Sequence, residues 1–155
     1  MLEAVPKSLF SPDFRMLEDG REVTVLDASA WRERAEIEIA GAACRLYRRG
    51  HMSGAFVIEY QEVVLASATK PSAFRSAFDV DVRGRRFTLR KPSMWKRGFG
   101  LYEGGVPVGT IEPQKGYSKR STLDLPTTLP LPARVFIFWL VTIIWRRDDA
   151  AAAGS

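Results

Sequence analysis

An apolar stretch near the C-terminus constrains the fold of this chain more than any other feature. Residues 135–145 read VFIFWLVTIIW, and Thr142 is the one residue among them that is not apolar. A helix of this composition is hydrophobic on all sides, so protein or lipid must surround it. The upstream sequence reads as short strands. The simplest arrangement is mainly β, a barrel of about eleven strands wrapped around a buried C-terminal helix.

The length of this apolar stretch distinguishes a helix surrounded by protein from a helix surrounded by lipid. A membrane span needs roughly 20 apolar residues, whereas a run of about 10 to 14 is more typical of a core helix. Pro132 suits a first helical turn, while Arg146 and Arg147 suit the C-terminal end of the dipole. We therefore expect a buried helix over about 133–146. The residues predicted to fill the barrel are Val135, Phe136, Phe138, Trp139, Leu140, Ile143 and Trp145.

Length and composition predict one domain. A chain of 155 residues that is 46% hydrophobic can bury one sizeable core, and two domains would each be small. Residues 1–13 contain two prolines and no sustained period, so they read as a lead-in segment. The barrel domain is predicted over residues 14–147, and residues 148–155 are predicted to be a tail.

The first hairpin is predicted around Asp19 and Gly20. Apolar residues alternate on both sides of this dipeptide, which is a strong turn signal between strands. A two-residue loop places Met16 opposite Val23 and Phe14 opposite Val25.

An internal repeat follows this hairpin. A shift of 43 residues superposes residues 34–71 on residues 77–114 without a gap, and such a repeat is strong evidence about architecture. Each unit contains two hairpins, and residues 14–25 resemble the second half of an earlier, truncated unit. The predicted turns are at residues 41–42, 61–62, 84–85 and 104–105. They imply the pairs Ile39 with Cys44, Glu38 with Arg45, Val82 with Phe87, Asp79 with Arg90 and Leu101 with Val108.

The densest basic stretch lies in the second unit. Its members are Arg83, Arg85, Arg86, Arg90, Lys91, Lys96 and Arg97. With the net charge of +5, they form a candidate lipid or anion site, because such a surface attracts phosphate groups. The alternative is a solvated basic face that pairs partly with Asp79 and Asp81.

Other candidate groups are weaker. Lys115, Lys119 and Arg120 surround Tyr117, while Arg45, Arg48 and Arg49 occupy the first unit's equivalent hairpin. His51 lies beside Ser53, but no nucleophile elbow accompanies them. Cys44 is the single cysteine and points inward by alternation, so it reads as a core residue and allows neither an intrachain disulfide nor a cysteine-based metal site.

The order of elements resembles the tubby-like superfamily. Paired strands in pseudo-repeats, basic stretches such as RRFTLRK and WKRGFGLYEGG, and a proline-marked entry to a C-terminal apolar helix carry this resemblance over residues 14–147. The LURP-one-related and phospholipid scramblase-like members are the closer comparison. The resemblance implies a closed antiparallel barrel of about twelve strands around a buried C-terminal helix, so the whole expectation is a barrel of about 11–12 strands. Tubby proteins bind phosphoinositides through basic surface residues, so the resemblance also implies such binding. No residue of that site can be assigned to a position in this sequence.

These observations favour a non-enzymatic binding module over an enzyme. If the helix fills the barrel, function must lie on the outer surface or at the rims. We expect no cofactor and no metal, a cytoplasmic location that is peripheral at the membrane, and anionic phospholipid as the partner in preference to nucleic acid. Two alternatives stay open: a protein interaction or scaffold domain with incidental charge, and a short membrane-associated tail at residues 129–147.

Overall fold

Twelve strands and one long helix make up the regular structure in the part of the chain that the computed structural model describes. That part comprises residues 1–8, 11, 13–27, 33–50, 54–71, 76–114 and 120–154. The elements are β1 (Leu2–Pro6), β2 (Phe14–Glu18), β3 (Arg21–Leu26), β4 (Arg34–Ile39), β5 (Ala42–Arg49), β6 (Ala55–Tyr60), β7 (Val63–Thr69), β8 (Ala77–Val82), β9 (Arg85–Arg90), β10 (Phe99–Glu103), β11 (Val106–Pro113), β12 (Ser121–Asp124) and α1 (Leu131–Ala153).

The strands form one antiparallel sheet that curls into a nearly closed barrel. Its order is β3-β2-β1-β12-β11-β10-β9-β8-β7-β6-β5-β4. The two edge strands approach each other where the amide of Ala40, just beyond β4, donates to the carbonyl of Val23 on β3 at 2.9 Å. The predicted barrel around a C-terminal helix is therefore confirmed.

The apolar helix occupies the barrel as predicted. Every residue from 133 to 145 in α1 is buried, which includes the seven predicted core positions. Trp139 has no exposed surface, and its ring packs edge-on against Phe56 of β6 with centroids 5.6 Å apart. Burial on all sides explains why the segment tolerates apolar side chains in every direction.

The helix is longer than the sequence indicated. It begins at Leu131, with Pro132 in its first turn as predicted, but it continues to Ala153. The prediction that residues 148–155 form a tail is therefore wrong for residues 148–153. Alanine has the highest helix propensity, so the run of alanines prolongs the helix. Arg146 and Arg147 consequently do not lie in the last turn.

The strands group into three units of four. Units β4–β7 and β8–β11 reproduce the sequence repeat, and each has a β-bulge in its second hairpin, at Ile58 and Leu101 respectively. The hairpin of β2 and β3 also has a bulge, after Met16. This agrees with its predicted place as the second hairpin of a repeat unit. Since β12 and β1 pair next to β2, they complete a third unit that is split between the two ends of the chain. The expectation that order begins at Phe14 is therefore wrong.

The bulges correct two predicted registers. Met16 pairs with Thr24 and Phe14 with Leu26, one residue beyond the predicted partners. Leu101 pairs with Gly109 rather than Val108 for the same reason. A bulge places two residues opposite one, which shifts every pair beyond it. The predicted turns at residues 19–20, 61–62 and 104–105 are correct.

The first hairpin of each repeat unit turns one residue earlier than predicted. The turns are at residues 40–41 and 83–84, and both central residues have positive φ, with 50° and 83° in the first and 49° and 89° in the second. Such turns match the strand twist and prefer glycine second. The resulting pairs are Ile37 with Cys44, Glu36 with Arg45, Val80 with Phe87, Asp81 with Arg86 and Asp79 with Thr88.

The two ends of the barrel differ. Five two-residue turns lie at one end, which we call the turn end, together with the start of α1. The longer connections leave the strands at the opposite end, which we call the loop end. Because α1 runs from the turn end to the loop end, its exposed last residues emerge among those connections. Of these longer connections, the one between β9 and β10 has every residue described by the structure.

Candidate functional site

The connection between β9 and β10, residues 91–98, exposes the largest apolar side chains at the loop end in the described residues. We call it the β9–β10 loop. Trp95 is 90% exposed and Met94 is 83% exposed. Lys96 and Arg97 follow directly and are also exposed. A tryptophan and a methionine are therefore presented to solvent beside two cations.

Local hydrogen bonds shape this loop. The Ser93 hydroxyl accepts a bond from the amide of Trp95 at 3.2 Å, and the Ser93 carbonyl accepts one from the amide of Lys96 at 3.3 Å. Serine commonly stabilises turns in this way. At the far end of the loop, the Trp145 indole donates to the carbonyl of Arg97 at 2.8 Å. The loop is thus anchored to the helix while Met94 and Trp95 remain outside.

Two cations of the loop pair with the end of α1. Lys91 lies 2.8 Å from the carboxylate of Asp148, and Arg97 lies 2.9 Å from that of Asp149. The Lys91 side chain is only 15% exposed, and the Arg97 guanidinium lies over the Trp145 ring. These contacts were not predicted from the sequence, since both aspartates fell in the supposed tail.

The predicted basic set does not form one surface. Arg83, Arg85 and Arg86 lie at the turn end of β9, whereas Lys91, Lys96 and Arg97 lie beyond its other end. A six-residue strand separates them by about 20 Å at a rise of roughly 3.3 Å per residue. A single small headgroup therefore cannot contact both groups.

Arg85 is engaged in structural contacts. It donates two hydrogen bonds of 3.1 Å to the Glu103 carboxylate and a third to the Thr128 hydroxyl at 3.0 Å. The hydrogen bonds that Arg85 donates to Glu103 raise the pKa of Arg85 above its usual value. An arginine that donates two parallel hydrogen bonds to one carboxylate is held in a fixed orientation. Arg85 therefore joins β9, β10 and the segment that leads into α1.

Four predicted cations have no ion-pair partner within 4.0 Å among the described residues: Arg83, Arg86, Arg90 and Lys96. Arg90 instead stacks on Tyr102, with its guanidinium carbon 4.1 Å from the ring centroid. The Tyr102 ring lies across Gly100, where a Cβ would be 2.8 Å from the ring. Glycine at this position therefore permits the stack on the outer face.

A second ionic cluster lies at the loop end. Glu33 accepts bonds from Arg48 at 3.2 Å and from Arg147 at 2.6 Å. Nearby, burial lowers the pKa of Lys70, and the positive charge of Arg147 lowers it further. Arg147 also lies over the Phe56 ring. The emerging helix is thus tied to the β3–β4 connection as well as to the β9–β10 loop.

Arg45 of the first unit does not extend the basic surface. Arg45 lies 3.7 Å from Glu36 and 4.0 Å from Glu59. It lines an open groove of about 350 Å³ on the outer face with Glu36, Glu38, Glu59 and Glu62. This face is acidic overall, in contrast to the face of β9.

Two further candidates, Cys44 and Asp81, lie in structural surroundings. Burial raises the pKa of the Cys44 thiol, so its nucleophilic form is disfavoured. The described residues contain no cluster of three metal-ligating side chains. Asp81 accepts a hydrogen bond from the amide of Gly84 at 3.0 Å, a turn-stabilising role. His51, Ser53, Lys115, Tyr117 and Lys119 lie outside the described residues.

The sequence reasoning missed Met94 and Trp95 as functional candidates. Their only signal was position, because they fall in a proline- and serine-containing stretch outside the alternation of β9 and β10. It also missed the partner of Arg134, a buried helix residue that donates to the Glu18 carboxylate at 2.8 Å.

Comparisons with known proteins add no further assignment. The chain matches no protein-family model, no curated protein and no solved structure. No helix within the described residues is both long enough and apolar enough to cross a membrane.

Proposed function

We propose that this protein is a non-enzymatic binding module that docks peripherally on anionic phospholipid surfaces through the β9–β10 loop. One observation carries the proposal: Trp95 and Met94 are almost fully exposed beside Lys96 and Arg97. Large apolar side chains on a surface indicate an interaction site when they are grouped. Tryptophan favours the interface between water and hydrocarbon, and nearby cations are attracted to an anionic leaflet.

The geometry favours a lipid surface over a protein pocket as the ligand of this loop. Met94 and Trp95 stand at the tip of a short loop rather than in a groove, so they can enter a deformable interface without a complementary cavity. Burying one such side chain contributes about 1.5–3 kcal/mol. Arg86 and Arg90 have no ion pair among the described residues and lie on the outer face of β9. They are outside the loop itself and serve here as secondary contacts.

A second candidate is a protein interaction domain that uses the turn end. Val63 is 68% exposed and Val106 is 60% exposed beside two of the tight turns. This candidate predicts that vesicle composition has no effect and that a protein partner binds the valines. It is less favoured, because the charged residues beside these valines, Glu62 and Glu103, do not indicate which partner would cover them.

Vesicle sedimentation tests the proposal. Protein is mixed with vesicles of phosphatidylcholine alone or with added phosphatidylserine, at low and high salt. We expect the protein to pellet only with the anionic vesicles and at low salt, since high salt screens exposed charges. Met94→Ala with Trp95→Ala is expected to weaken binding by about tenfold or more.

Matched variants define the surface. Val63→Ala with Val64→Ala removes exposed apolar groups at the turn end and should leave vesicle binding unchanged. Arg86→Glu with Arg90→Glu tests the outer face of β9, and unchanged binding would remove those two residues from the site. Equal binding by the wild type and by the Met94 and Trp95 variant would refute the loop assignment, and equal pelleting with neutral and anionic vesicles would refute the lipid charge preference.

The tubby-like assignment is a separate proposal. We infer a relationship to the LURP-one-related and scramblase-like proteins from the sequence pattern, and a barrel around a C-terminal helix is in keeping with it. The lipid-binding hypothesis does not depend on this relationship, because it follows from the loop and its charges.

A further inference from the structure

The last turns of α1 leave the barrel and contact the proposed lipid-binding loop. Residues 146–153, which we call the C-terminal extension, are exposed, in contrast to the buried residues before them. The extension carries two adjacent carboxylates, Asp148 and Asp149. Each of them pairs with a different cation of the β9–β10 loop.

These pairs occupy the groups that an anionic headgroup needs. Asp148 covers Lys91, whose side chain is mostly buried, and Asp149 holds the Arg97 guanidinium. A phosphate or carboxylate headgroup carries the same charge as an aspartate and uses the same hydrogen-bond donors. Lipid can therefore bind Lys91 and Arg97 only after the aspartates have moved away.

The contacts are suited to exchange. The carboxylates are 44% and 61% exposed, and exposed ion pairs contribute little stability and are screened by salt. The extension lies past the last buried residue, Trp145, and helix ends open more readily than buried cores. Displacement of residues 148–153 thus leaves in place both the barrel core and the pair of Arg147 with Glu33.

We propose that the C-terminal extension is an autoinhibitory latch, in which Asp148 and Asp149 neutralise Lys91 and Arg97 until an anionic membrane surface replaces them. This inference rests on the proposed lipid-binding function and adds its regulation. In the latched state, Lys96 is the cation of the loop without an ion pair among the described residues, and it provides the first attraction. In the released state, three cations face the headgroups.

Titration with vesicles tests the latch. Asp148→Asn with Asp149→Asn should lower the lipid concentration at half-maximal binding by about fivefold or more at low salt, since each charge near an anionic surface contributes on the order of fivefold. Glu36→Gln with Glu38→Gln is the matched control. It changes net charge equally and also breaks an ion pair, that of Arg45 and Glu36, yet should alter binding less than twofold. Asp148→Glu with Asp149→Glu should bind like the wild type.

The outcomes separate the latch from lipid binding itself. If the wild type binds anionic vesicles and the two Asn substitutions act no differently from the control, the latch is wrong and the lipid function stands. If neither the wild type nor the Asn variant binds, both proposals fail.

A second measurement uses the unmodified protein. Amide hydrogen exchange in residues 149–153 should accelerate when anionic vesicles are added, while amides in residues 137–145 stay protected. Neutral vesicles should change neither. Unchanged or slower exchange in residues 149–153 with bound anionic vesicles would overturn the latch even if the variants failed to fold.

Discussion

Replacing Trp139 by alanine should destabilise the protein strongly, because this side chain lies at the centre of the barrel. Trp139 has no exposed surface and its ring contacts Phe56 and Phe136, with centroid distances of 5.6 and 6.0 Å. Truncating a buried tryptophan or phenylalanine to alanine costs about 3–5 kcal/mol. This loss is a large share of the roughly 5–15 kcal/mol that stabilises a typical domain.

The chain contains a matched control for this substitution. Trp95→Ala is the same chemical change, but at a side chain that is 90% exposed, so it should alter stability by less than about 0.5 kcal/mol. Urea unfolding followed by far-ultraviolet circular dichroism measures both variants. With a slope of roughly 2 kcal/mol per molar urea, the midpoint of Trp139→Ala should fall by about 2 M. Equal small shifts for the two variants would refute the buried-helix reasoning.

Three further predictions concern single residues. Glu18→Gln should cost about 3–5 kcal/mol of unfolding free energy, because it leaves the charge of Arg134 buried without its partner; a change within the error of urea unfolding would show that the pair is dispensable. Gly84→Ala should cost about 1–2 kcal/mol in the same assay, since Gly84 has a φ of 89°; an unchanged midpoint would contradict the turn assignment. Burial raises the pKa of Cys44 above the reference value of 9.0, so the stability that this thiol contributes is complete below that pH and is lost as pH rises through the folded pKa. At pH 8 a thiol reagent should react with Cys44 only when urea has unfolded the protein. Fast reaction with the native protein would contradict the burial of Cys44.

The central helix and the barrel could be predicted because each follows from a strong local pattern. The run at residues 135–145 is apolar on every side, and that property alone requires a surrounding structure. Alternation then assigns the faces of the strands, so Phe87 and Leu89 point into the core as expected. Neither inference needs a knowledge of long-range contacts.

The strand registers were less predictable because they depend on turn geometry. Gly41 is the second central residue of its turn and not the first, since Ala40 also takes a positive φ. Moving the turn by one residue changes the strand pairing by two positions, so the same side chains still face the core. The alternation of apolar residues therefore did not reveal that the predicted turn was one residue late. Strand β1 was missed because its pairing with β12 joins the two ends of the chain.

The candidate site could be predicted only in part. The sequence identifies the cations of residues 83–97, but it does not show that Lys91 and Arg97 pair with Asp148 and Asp149, more than fifty residues later. Those pairs depend on the helix continuing past Trp145. The exposure of Trp95 likewise depends on a loop conformation that no periodic pattern encodes.

Quenching of tryptophan fluorescence by brominated phospholipids tests the central claim most directly. Bromine on the acyl chains quenches only indoles that enter the membrane, and the Trp139 and Trp145 side chains are buried in the barrel. Trp31 lies outside the described residues, so both proteins are compared with Trp31→Phe in place. We predict that anionic vesicles with brominated lipid quench the protein that keeps Trp95, and that Trp95→Phe loses most of this quenching while it still sediments with the vesicles. Quenching that is equal in the two proteins, or absent from the protein that keeps Trp95 when it has bound to the vesicles, would contradict insertion of the β9–β10 loop.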